Sequence, residues 1–278
     1  MKMMGTIEIL LPLLGFLIGA VASMVGVGGG VFIVPLLTLY PFSHPFSPAQ
    51  AAGTSLTTII FTSLASTANY SRQKRIYYKT GLILATATVP GAFLGAYFTS
   101  IIEAWLLGLI FGIFLFFVAL RMIFQLSLRS KSSDTEKNTN STLVYSEDSL
   151  FESRTVILLG VALSFFGGLS SGLLGIGGGS LLVPIMALAM SIPIHITVAT
   201  SMFTMIFTSI AGATQHFSLG HISFEYAILL ALGTVFGAQL GAYTSKKVSS
   251  RNLRRIFGIV LVIVSIRMIL KYVLLIPA

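Results

Sequence analysis

The stretch Gly26-Val27-Gly28-Gly29-Gly30 interrupts a hydrophobic segment near the start of the chain, and Val34-Pro35 follows it. The same pattern returns as Gly175-Ile176-Gly177-Gly178-Gly179, followed by Val183-Pro184. The copies lie 149 positions apart. Because glycine disfavours a helix by about 1 kcal/mol per residue relative to Ala, each cluster is predicted to break the helix that contains it.

Further blocks repeat downstream, now at a constant offset of 146 positions. They pair Thr54-Ser55 with Thr200-Ser201, Phe61-Thr62-Ser63 with Phe207-Thr208-Ser209, Gly95-Ala96-Tyr97 with Gly241-Ala242-Tyr243, and Arg121-Met122-Ile123 with Arg267-Met268-Ile269. Agreement over several separated blocks indicates that the chain consists of two internal repeats. Duplication of this kind is common in secondary transporters.

The composition is that of a membrane protein. Hydrophobic residues make up 55% of the chain, charged residues only 9%, and the mean hydropathy is +0.94. A soluble domain carries about 25% charged residues, so lipid is the expected solvent. The net charge of +9 falls mostly in short loops between apolar runs, which is typical of topology control rather than of nucleic-acid binding.

The sequence predicts an all-α polytopic membrane protein in three parts: residues 1–126 form the first membrane repeat, 127–154 a polar cytoplasmic linker, and 155–278 the second membrane repeat. The linker is rich in Ser, Asn, Lys, Asp and Glu. We call the two repeats the first half and the second half. The predicted apolar segments are 7–24, 30–41, 48–70, 80–99 and 104–126, then 155–173, 179–191, 196–217, 224–245 and 252–274.

Charge bias distinguishes two topologies. If each glycine-broken segment is one full span, 12 Lys and Arg residues lie inside and 5 outside. If each is a re-entrant hairpin followed by three transmembrane helices, the halves are inverted and the count becomes 14 inside and 3 outside. The positive-inside rule favours the inverted arrangement, and full spans remain the alternative.

The glycine clusters are the first candidate for the substrate site. Free backbone N–H and C=O groups are tolerated at membrane depth only where they are buried in protein or line a wet cavity. A helix that starts after each cluster presents unpaired N–H groups and partial positive charge, which suit an anion. Close helix packing is the alternative use of small residues. The substrate-binding candidates are Gly26, Gly28, Gly29, Gly30, Gly175, Gly177, Gly178 and Gly179.

Hydroxyl and amide side chains that recur in both halves extend this hypothesis. Thr54, Ser55, Thr200 and Ser201 can donate to an anion without adding charge, although Ser and Thr also bond to the preceding helical turn. Asn69 and Gln215 are matched amides near the other end of the same helices. They and His216 are candidates for lining a pathway.

The remaining ionisable residues argue against other functions. All eight carboxylates lie in the linker or near segment ends, so no span contains the deep carboxylate typical of cation carriers. The four histidines are dispersed, and none has the i,i+4 spacing of a zinc helix. No nucleophile–base set occurs. We therefore expect no metal, no cofactor and no enzymatic activity.

The paired Val-Gly-Val-Gly-Gly-Gly and Leu-Gly-Ile-Gly-Gly-Gly motifs, each followed by Val-Pro, resemble those of the TauE/SafE family of sulfite and organosulfonate exporters. Thr54-Ser55, Thr200-Ser201 and the stretch from Gly212-Ala213-Thr214-Gln215-His216 to Gly220-His221-Ile222 are similar to that family's pattern as well. The resemblance covers nearly the whole chain apart from the linker. Asn69-Tyr70 departs from it, because Gln-His stands at the matching place in the second half.

This resemblance implies a secondary transporter that exports a small sulfur-containing anion, such as sulfite or a C2–C3 organosulfonate, by alternating access. An anion channel on the same fold is the alternative. The expected partners are a small anionic substrate and the lipid bilayer, with a homodimer as the candidate assembly. The expected location is the cytoplasmic membrane of a bacterium or an archaeon.

Overall fold

The computed structural model describes residues 10–39, 46–128, 154–245 and 250–274, with the side chains of 121–128, 250–258 and 260 left out. Over these ranges the chain is helical, with no β-strand. The helices are α1 Leu11–Val25, α2 Gly30–Leu39, α3 Pro48–Arg72, α4 Tyr78–Phe98, α5 Ala104–Leu128, α6 Arg154–Leu174, α7 Gly179–Pro184, α8 Ile194–Ser218, α9 Phe224–Thr244 and α10 Ser250–Val273. A π-helical turn, Ile185–Ala189, follows α7.

Within the described ranges, four helices are long and apolar enough to cross a membrane: α4, α6, α8 and α9. At about 1.5 Å per residue, helices of 21 to 25 residues reach the roughly 30 Å of a hydrocarbon core. Their outward faces carry large hydrophobic side chains, including Phe166, Phe217 and Phe236, each more than 60% exposed. The prediction of an all-α polytopic membrane protein is confirmed.

Helix boundaries follow local sequence signals. Ser47 caps α3: its hydroxyl accepts from the Gln50 N–H at 3.2 Å, and the Gln50 side chain accepts from the Ser47 N–H at 3.1 Å. Pro48 occupies the first helical position, where its missing N–H costs nothing. At the C-terminal end of α1, the Gly26 N–H donates to the Ala22 carbonyl, and the left-handed conformation of Gly26 ends the helix.

The first helix of each half packs against the fourth helix of the other half, α1 with α9 and α6 with α4. Glycines permit this close packing of α1 on α9. A Cβ placed on Gly15 would lie 2.6 Å from the Leu230 carbonyl oxygen, and a Cβ placed on Gly19 would overlap the Thr234 carbonyl oxygen. The contact positions advance together along both helices, so α1 and α9 run parallel. Small residues at such crossings let two backbones approach.

Helices α3 and α8 form the centre of the molecule. The Thr58 hydroxyl reaches the Ala227 carbonyl at 3.5 Å and the Gln73 amide donates to the Ala242 carbonyl at 3.0 Å, so α3 runs parallel to α9. At the start of α3, Gly53 contacts His216 at the end of α8. Helices α3 and α8 are therefore antiparallel.

The chain doubles back after the second glycine cluster. A Cβ on Gly167 would lie 3.6 Å from the Leu181 Cβ, and one on Gly160 would lie 2.9 Å from the Met190 sulfur. The later residue, Met190, contacts the earlier position on α6, so α7 and the π turn run antiparallel to α6. In the first half the glycine cluster itself folds back onto α1, since a Cβ on Gly29 would lie 3.2 Å from Ile18.

Residues 7–9 and 40–41 of the predicted segments lie outside the described residues; elsewhere the observed boundaries agree closely with the prediction, apart from one segment. The piece predicted at 179–191 divides into the six-residue α7 and the π turn, because Pro184 at the join has no N–H to donate. Helix α5 continues to Leu128 and α6 begins at Arg154, so both helices extend slightly into the predicted linker. The rest of that linker, residues 129–153, lies outside the described residues.

Candidate functional site

Both glycine clusters turn the chain through left-handed backbone. We call residues 26–30 the first break and residues 175–179 the second break. The φ angles are 82°, 79° and 99° for Gly26, Gly28 and Gly29, and 73°, 75° and 80° for Gly175, Gly177 and Gly178. Residues with a Cβ rarely adopt these values, so glycine is required. The glycines of both breaks are buried. The prediction that each cluster ends its helix is confirmed.

The structure brings the two breaks into direct backbone contact. A Cβ on Gly30 would overlap the carbonyl oxygen of Gly175, and a Cβ on Gly179 would overlap that of Gly26. Gly30 and Gly179 therefore make an approach that no residue with a Cβ permits. The contact is reciprocal, because Gly30 matches Gly179 and Gly26 matches Gly175 in the repeat.

Two apolar side chains lie against both breaks. A Cβ on Gly28 would lie 2.9 Å from the Met205 sulfur and 3.2 Å from Ile59, and one on Gly177 would lie 3.1 Å from Ile59 and 3.2 Å from Met205. Ile59 and Met205 sit at the middle of α3 and α8 and are themselves matched at the offset of 146. Nothing in the sequence singled them out, because isoleucine and methionine are ordinary residues in a membrane helix.

The matched serines hold the breaks across the two halves. The Ser55 hydroxyl donates to the Gly175 carbonyl at 2.7 Å, and the Ser201 hydroxyl lies 3.0 Å from the Gly26 carbonyl. Ser201 also lies 2.9 Å from the Val198 carbonyl of its own helix. Both serines are fully buried. Both hydroxyls therefore lie within hydrogen-bond distance of a backbone carbonyl in a break. Contact of these two serines with substrate stays a prediction.

The matched threonines hold the turns that follow α3 and α8. The Thr54 hydroxyl accepts from the Ser223 N–H at 3.1 Å, and the Thr200 hydroxyl accepts from the Tyr77 N–H at 3.0 Å. Each threonine thus joins the start of one central helix to the turn after the other. We call the Thr54–Ser223 contact the α8-side closure and the Thr200–Tyr77 contact the α3-side closure. A role for these threonines in binding substrate also stays a prediction.

The breaks contain buried N–H groups without an acceptor. Among the hydrogen bonds of the described residues, none uses the N–H of Gly28, Gly29 or Gly30, and none uses that of Val31. The N–H groups of Gly177, Gly178 and Gly179 are equally unused within the described chain. A buried donor without a hydrogen bond costs about 1–3 kcal/mol. So many unpaired N–H groups in one place therefore indicate a ligand or a function. An anion would satisfy it.

A serine that the sequence did not single out adds to this set. Ser171, in the last turn of α6, is fully buried, and its hydroxyl has no hydrogen-bond partner among the described residues. Its Cβ lies 3.5 Å from the position of a Cβ on Gly178. The hydroxyl is therefore an additional donor next to the second break. Ala22 occupies the matching place in the first half, so the repeat gave no signal for it.

His216 and Tyr70 occupy matching positions and make matching contacts. Nε2 of His216 lies 2.9 Å from the Gly172 carbonyl, and the Tyr70 hydroxyl donates to the Ser23 carbonyl at 2.9 Å. Gly172 and Ser23 each stand three residues before the first glycine of a break. Tyr70 and His216 therefore both hydrogen-bond the end of the helix that precedes a break. They differ in the group that makes this bond, a phenol hydroxyl in the first half and an imidazole in the second.

The two predicted pathway amides lie in different surroundings. Asn69 is half-buried, and its amide donates to the Gln239 carbonyl at 3.1 Å and accepts from Gln73 at 2.8 Å. Gln215 is buried on α8, beside His216. Neither residue lies at the breaks, and their pathway role stays a prediction. In the described part of the chain, no three metal-ligating side chains come together.

Comparison with known proteins identifies the family. The family described as "Sulfite exporter TauE/SafE" matches residues 11–268, nearly the whole chain. No solved structure matches.

Curated relatives match over almost the same length. The chain is 36% identical to "Probable membrane transporter protein YunE" of Bacillus subtilis, over 94% of this chain and 97% of that protein. It is 30% identical to "Probable membrane transporter protein MJ0441" of Methanocaldococcus jannaschii, over 94% of this chain and 96% of that protein. A shorter match, 29% identical over 42% of this chain, is to "Sulfite exporter TauE/SafE family protein 6" of Arabidopsis thaliana.

Proposed function

This chain belongs to the sulfite exporter TauE/SafE family, and from that premise we propose that it is a secondary transporter, not an enzyme. Its substrate is a small sulfur-containing anion, sulfite or a C2–C3 organosulfonate, which it exports across the cytoplasmic membrane of a bacterium or an archaeon by alternating access.

One observation carries the proposal: on both sides of the contact between the breaks lie buried N–H groups that have no acceptor among the described residues. A sulfonate or sulfite presents several acceptor oxygens and negative charge, which these donors fit. No Lys or Arg belongs to either break, so recognition by backbone lets the empty site stay uncharged. The helix α2, whose N-terminal residue is Gly30, adds partial positive charge at the first break.

We also propose that the halves are inverted copies with re-entrant hairpins. Parallel α1 and α9, parallel α3 and α9, and antiparallel α3 and α8 support this, because matched helices then point in opposite directions. The return of α7 along α6 supports the hairpin. In this topology the linker and the turn after α3 are cytoplasmic, and the turn after α8 is outside.

The same arrangement favours a carrier over a channel. Ile59 and Met205 contact both breaks, and the α8-side and α3-side closures are made at the same time. Alternating access would break one closure at a time while the breaks hold the anion. A channel would need both open together.

The first test is transport by the purified protein in proteoliposomes, with sulfite, thiosulfate, sulfoacetate, sulfate and an uncharged control. We expect saturable flux of at least one sulfur anion, and acceleration of labelled substrate by unlabelled substrate on the opposite side. Conductance without this counterflow would favour the channel. Absence of flux for every anion in the panel would contradict both.

The second test removes one N–H from the site. Val31→Pro deletes an unused donor in the first turn of α2, where proline is tolerated, and Val31→Ala is the matched control that keeps the N–H. Since a hydrogen bond to a charged group contributes about 1.5–3 kcal/mol, we expect Val31→Pro to weaken substrate binding about tenfold or more relative to Val31→Ala. Equal affinity of the two folded variants would refute recognition by this backbone.

A further inference from the structure

The ends of α3 and α8 differ chemically although their backbones match. The turn after α8 pairs His216 with His221, and the matching positions after α3 hold Tyr70 and Arg75. In both turns the second residue donates its N–H to the carbonyl of the first, at 2.9 Å for the histidines and 3.3 Å for Tyr70 and Arg75. Only the histidine pair can change protonation near neutral pH.

Hydrogen bonding fixes how the neutral pair shares its protons. The Gly172 carbonyl can only accept, so Nε2 of His216 carries a hydrogen and Nδ1 is bare when the ring is neutral. Nδ1 of His221 lies 3.3 Å from Nδ1 of His216 and therefore carries the hydrogen between the rings. The remaining nitrogen, Nε2 of His221, is then free to take a proton.

The two rings differ in access to water. His216 is fully buried, whereas His221 lies in the turn, is only partly buried, and has its pKa lowered below the usual value by that burial. A proton from water can therefore reach His221 but cannot reach His216 directly. The contact between the rings is the connection from the surface to the interior.

Few other charges act on this pair. The surrounding ends of α3, α6 and α8 contain no charged residue, since the Arg72 and Arg154 side chains belong to their opposite ends and His195 to the far end of α8. Helix α9 contributes Glu225 in its first turn, where it is exposed. Among the described residues no buried carboxylate lies beside the pair to fix its charge, so a proton gained there changes the local charge by a full unit.

The pair is joined to the second break and to the α8-side closure. Gly172, which His216 holds, lies three residues before Gly175. On the other side, a Cβ on Gly53 would lie 2.9 Å from the His216 side chain and 2.7 Å from the His221 carbonyl. Gly53 precedes Thr54, whose hydroxyl holds the turn at Ser223. A change of charge at the pair therefore acts where the closure and the break meet.

We propose that His216 and His221 form a proton-binding site that couples anion transport to proton transport. One proton from water binds Nε2 of His221, and the proton on Nδ1 of His221 passes to Nδ1 of His216. His221 ends neutral, and His216 ends as a buried imidazolium that still donates from Nε2 to Gly172. In the proposed topology these transfers exchange the proton with water outside. When the centre opens to the cytoplasm, His216 exchanges its proton with the water that enters there beside the anion.

The charge on His216 sets the direction of the coupling. A buried cation close to the break is favoured when an anion occupies the break and disfavoured when the break is empty. Proton and anion therefore bind together and move in the same direction, one proton with each anion. This inference rests on the proposed transport function and names its coupling ion.

The test measures anion and proton movement together in proteoliposomes, with voltage clamped by potassium and valinomycin. The probe is the fastest of sulfoacetate, thiosulfate and sulfate, which stay ionised near neutral pH; sulfite is left out because it titrates there. We expect wild-type flux down an anion gradient to acidify the compartment that the anion enters, and apparent anion affinity to rise as pH falls through the pKa of the pair.

His216→Gln is the main variant, because its amide can still donate to Gly172 but cannot be protonated. His221→Gln is the second, at a less buried position, and His195→Gln is the control histidine outside the pair. We expect both pair variants to carry the anion without acidification and with a flat pH profile, while His195→Gln behaves as wild type.

Acidification that persists in both folded pair variants would overturn the proton site, as would wild-type anion flux without proton movement. Wild-type protein that carries no anion at all would instead overturn the proposed function, and the coupling with it. The two failures are thus separate results of one experiment.

Discussion

The two halves agree where their backbones meet and differ where the chain leaves the centre. At the breaks, Ser55 holds Gly175 as Ser201 holds Gly26, and Gly30 and Gly179 make the same close approach. These contacts are reciprocal, so a change in one half without its match in the other would spoil the fit. Reciprocal contact at close range is therefore a physical reason for the halves to stay alike here.

Away from the breaks the halves are free to differ. After the first break α2 is a continuous ten-residue helix through Pro35, and its Thr38 carbonyl accepts from Lys271 at 2.6 Å. After the second break the chain forms the short α7 and a π turn that packs on α6. The ends of α3 and α8 carry Tyr70 and His216. In the proposed carrier, only asymmetric regions such as these can give the two sides of the membrane different properties.

The largest expected effect concerns the sides of the membrane. Lys74 and Gly220 are matched, exposed turn residues with φ of 52° and 70°, and the chain has no cysteine of its own. In the proposed inverted topology, Lys74→Cys is labelled by an impermeant maleimide only from inside and Gly220→Cys only from outside. Labelling of intact and of opened vesicles measures this. Labelling of both from one side would show that the halves are not inverted.

The next largest effect is on stability at the contact between the breaks. Gly30→Ala and Gly179→Ala would each drive a methyl group into a backbone carbonyl that cannot move aside. Because overpacking costs about 1–3 kcal/mol and occasionally more, and backbone atoms cannot rotate away, we expect both variants to lose thermal stability or fail to fold, to a similar degree. Melting in detergent checks this.

Gly220→Ala is the matched control for that pair. Gly220 has a positive φ, and no atom of the described residues lies within 4 Å of the new Cβ, so the change should cost only about 1 kcal/mol for the left-handed backbone. Full tolerance of either Gly30→Ala or Gly179→Ala would mean that the breaks are not in reciprocal contact.

The smallest effect separates the two serines. Ser55→Ala leaves the buried Gly175 carbonyl without its donor and should cost about 2 kcal/mol in stability. Ser201→Ala should cost about 1 kcal/mol, since its hydroxyl divides between Gly26 and Val198. Thr57→Ala, which loses only a local bond to the Gly53 carbonyl, is the control, at about 0.5 kcal/mol or less. A larger loss for Thr57→Ala than for Ser55→Ala would contradict this ranking.

Much of the fold could be read from the sequence because the relevant forces are local. Long apolar runs predicted the helices, and the helix ends at Val25 and Leu174 followed from the glycines just after them. The π turn could not be predicted, since it depends on how the segment after Pro184 packs on α6. The candidate site was read in part: the glycines stood out, whereas Ile59, Met205 and Ser171 did not.

The sequence by itself determined that this is an all-helical membrane protein and that two glycine clusters interrupt it. Hydropathy and the conformational range of glycine act over a few residues and need no partner. Only the tertiary structure decided that the clusters touch, that Ser55 and Ser201 reach across to them, and that His216 meets His221. Such contacts depend on how distant helices pack, and no local preference of the chain encodes which side chain will meet which carbonyl.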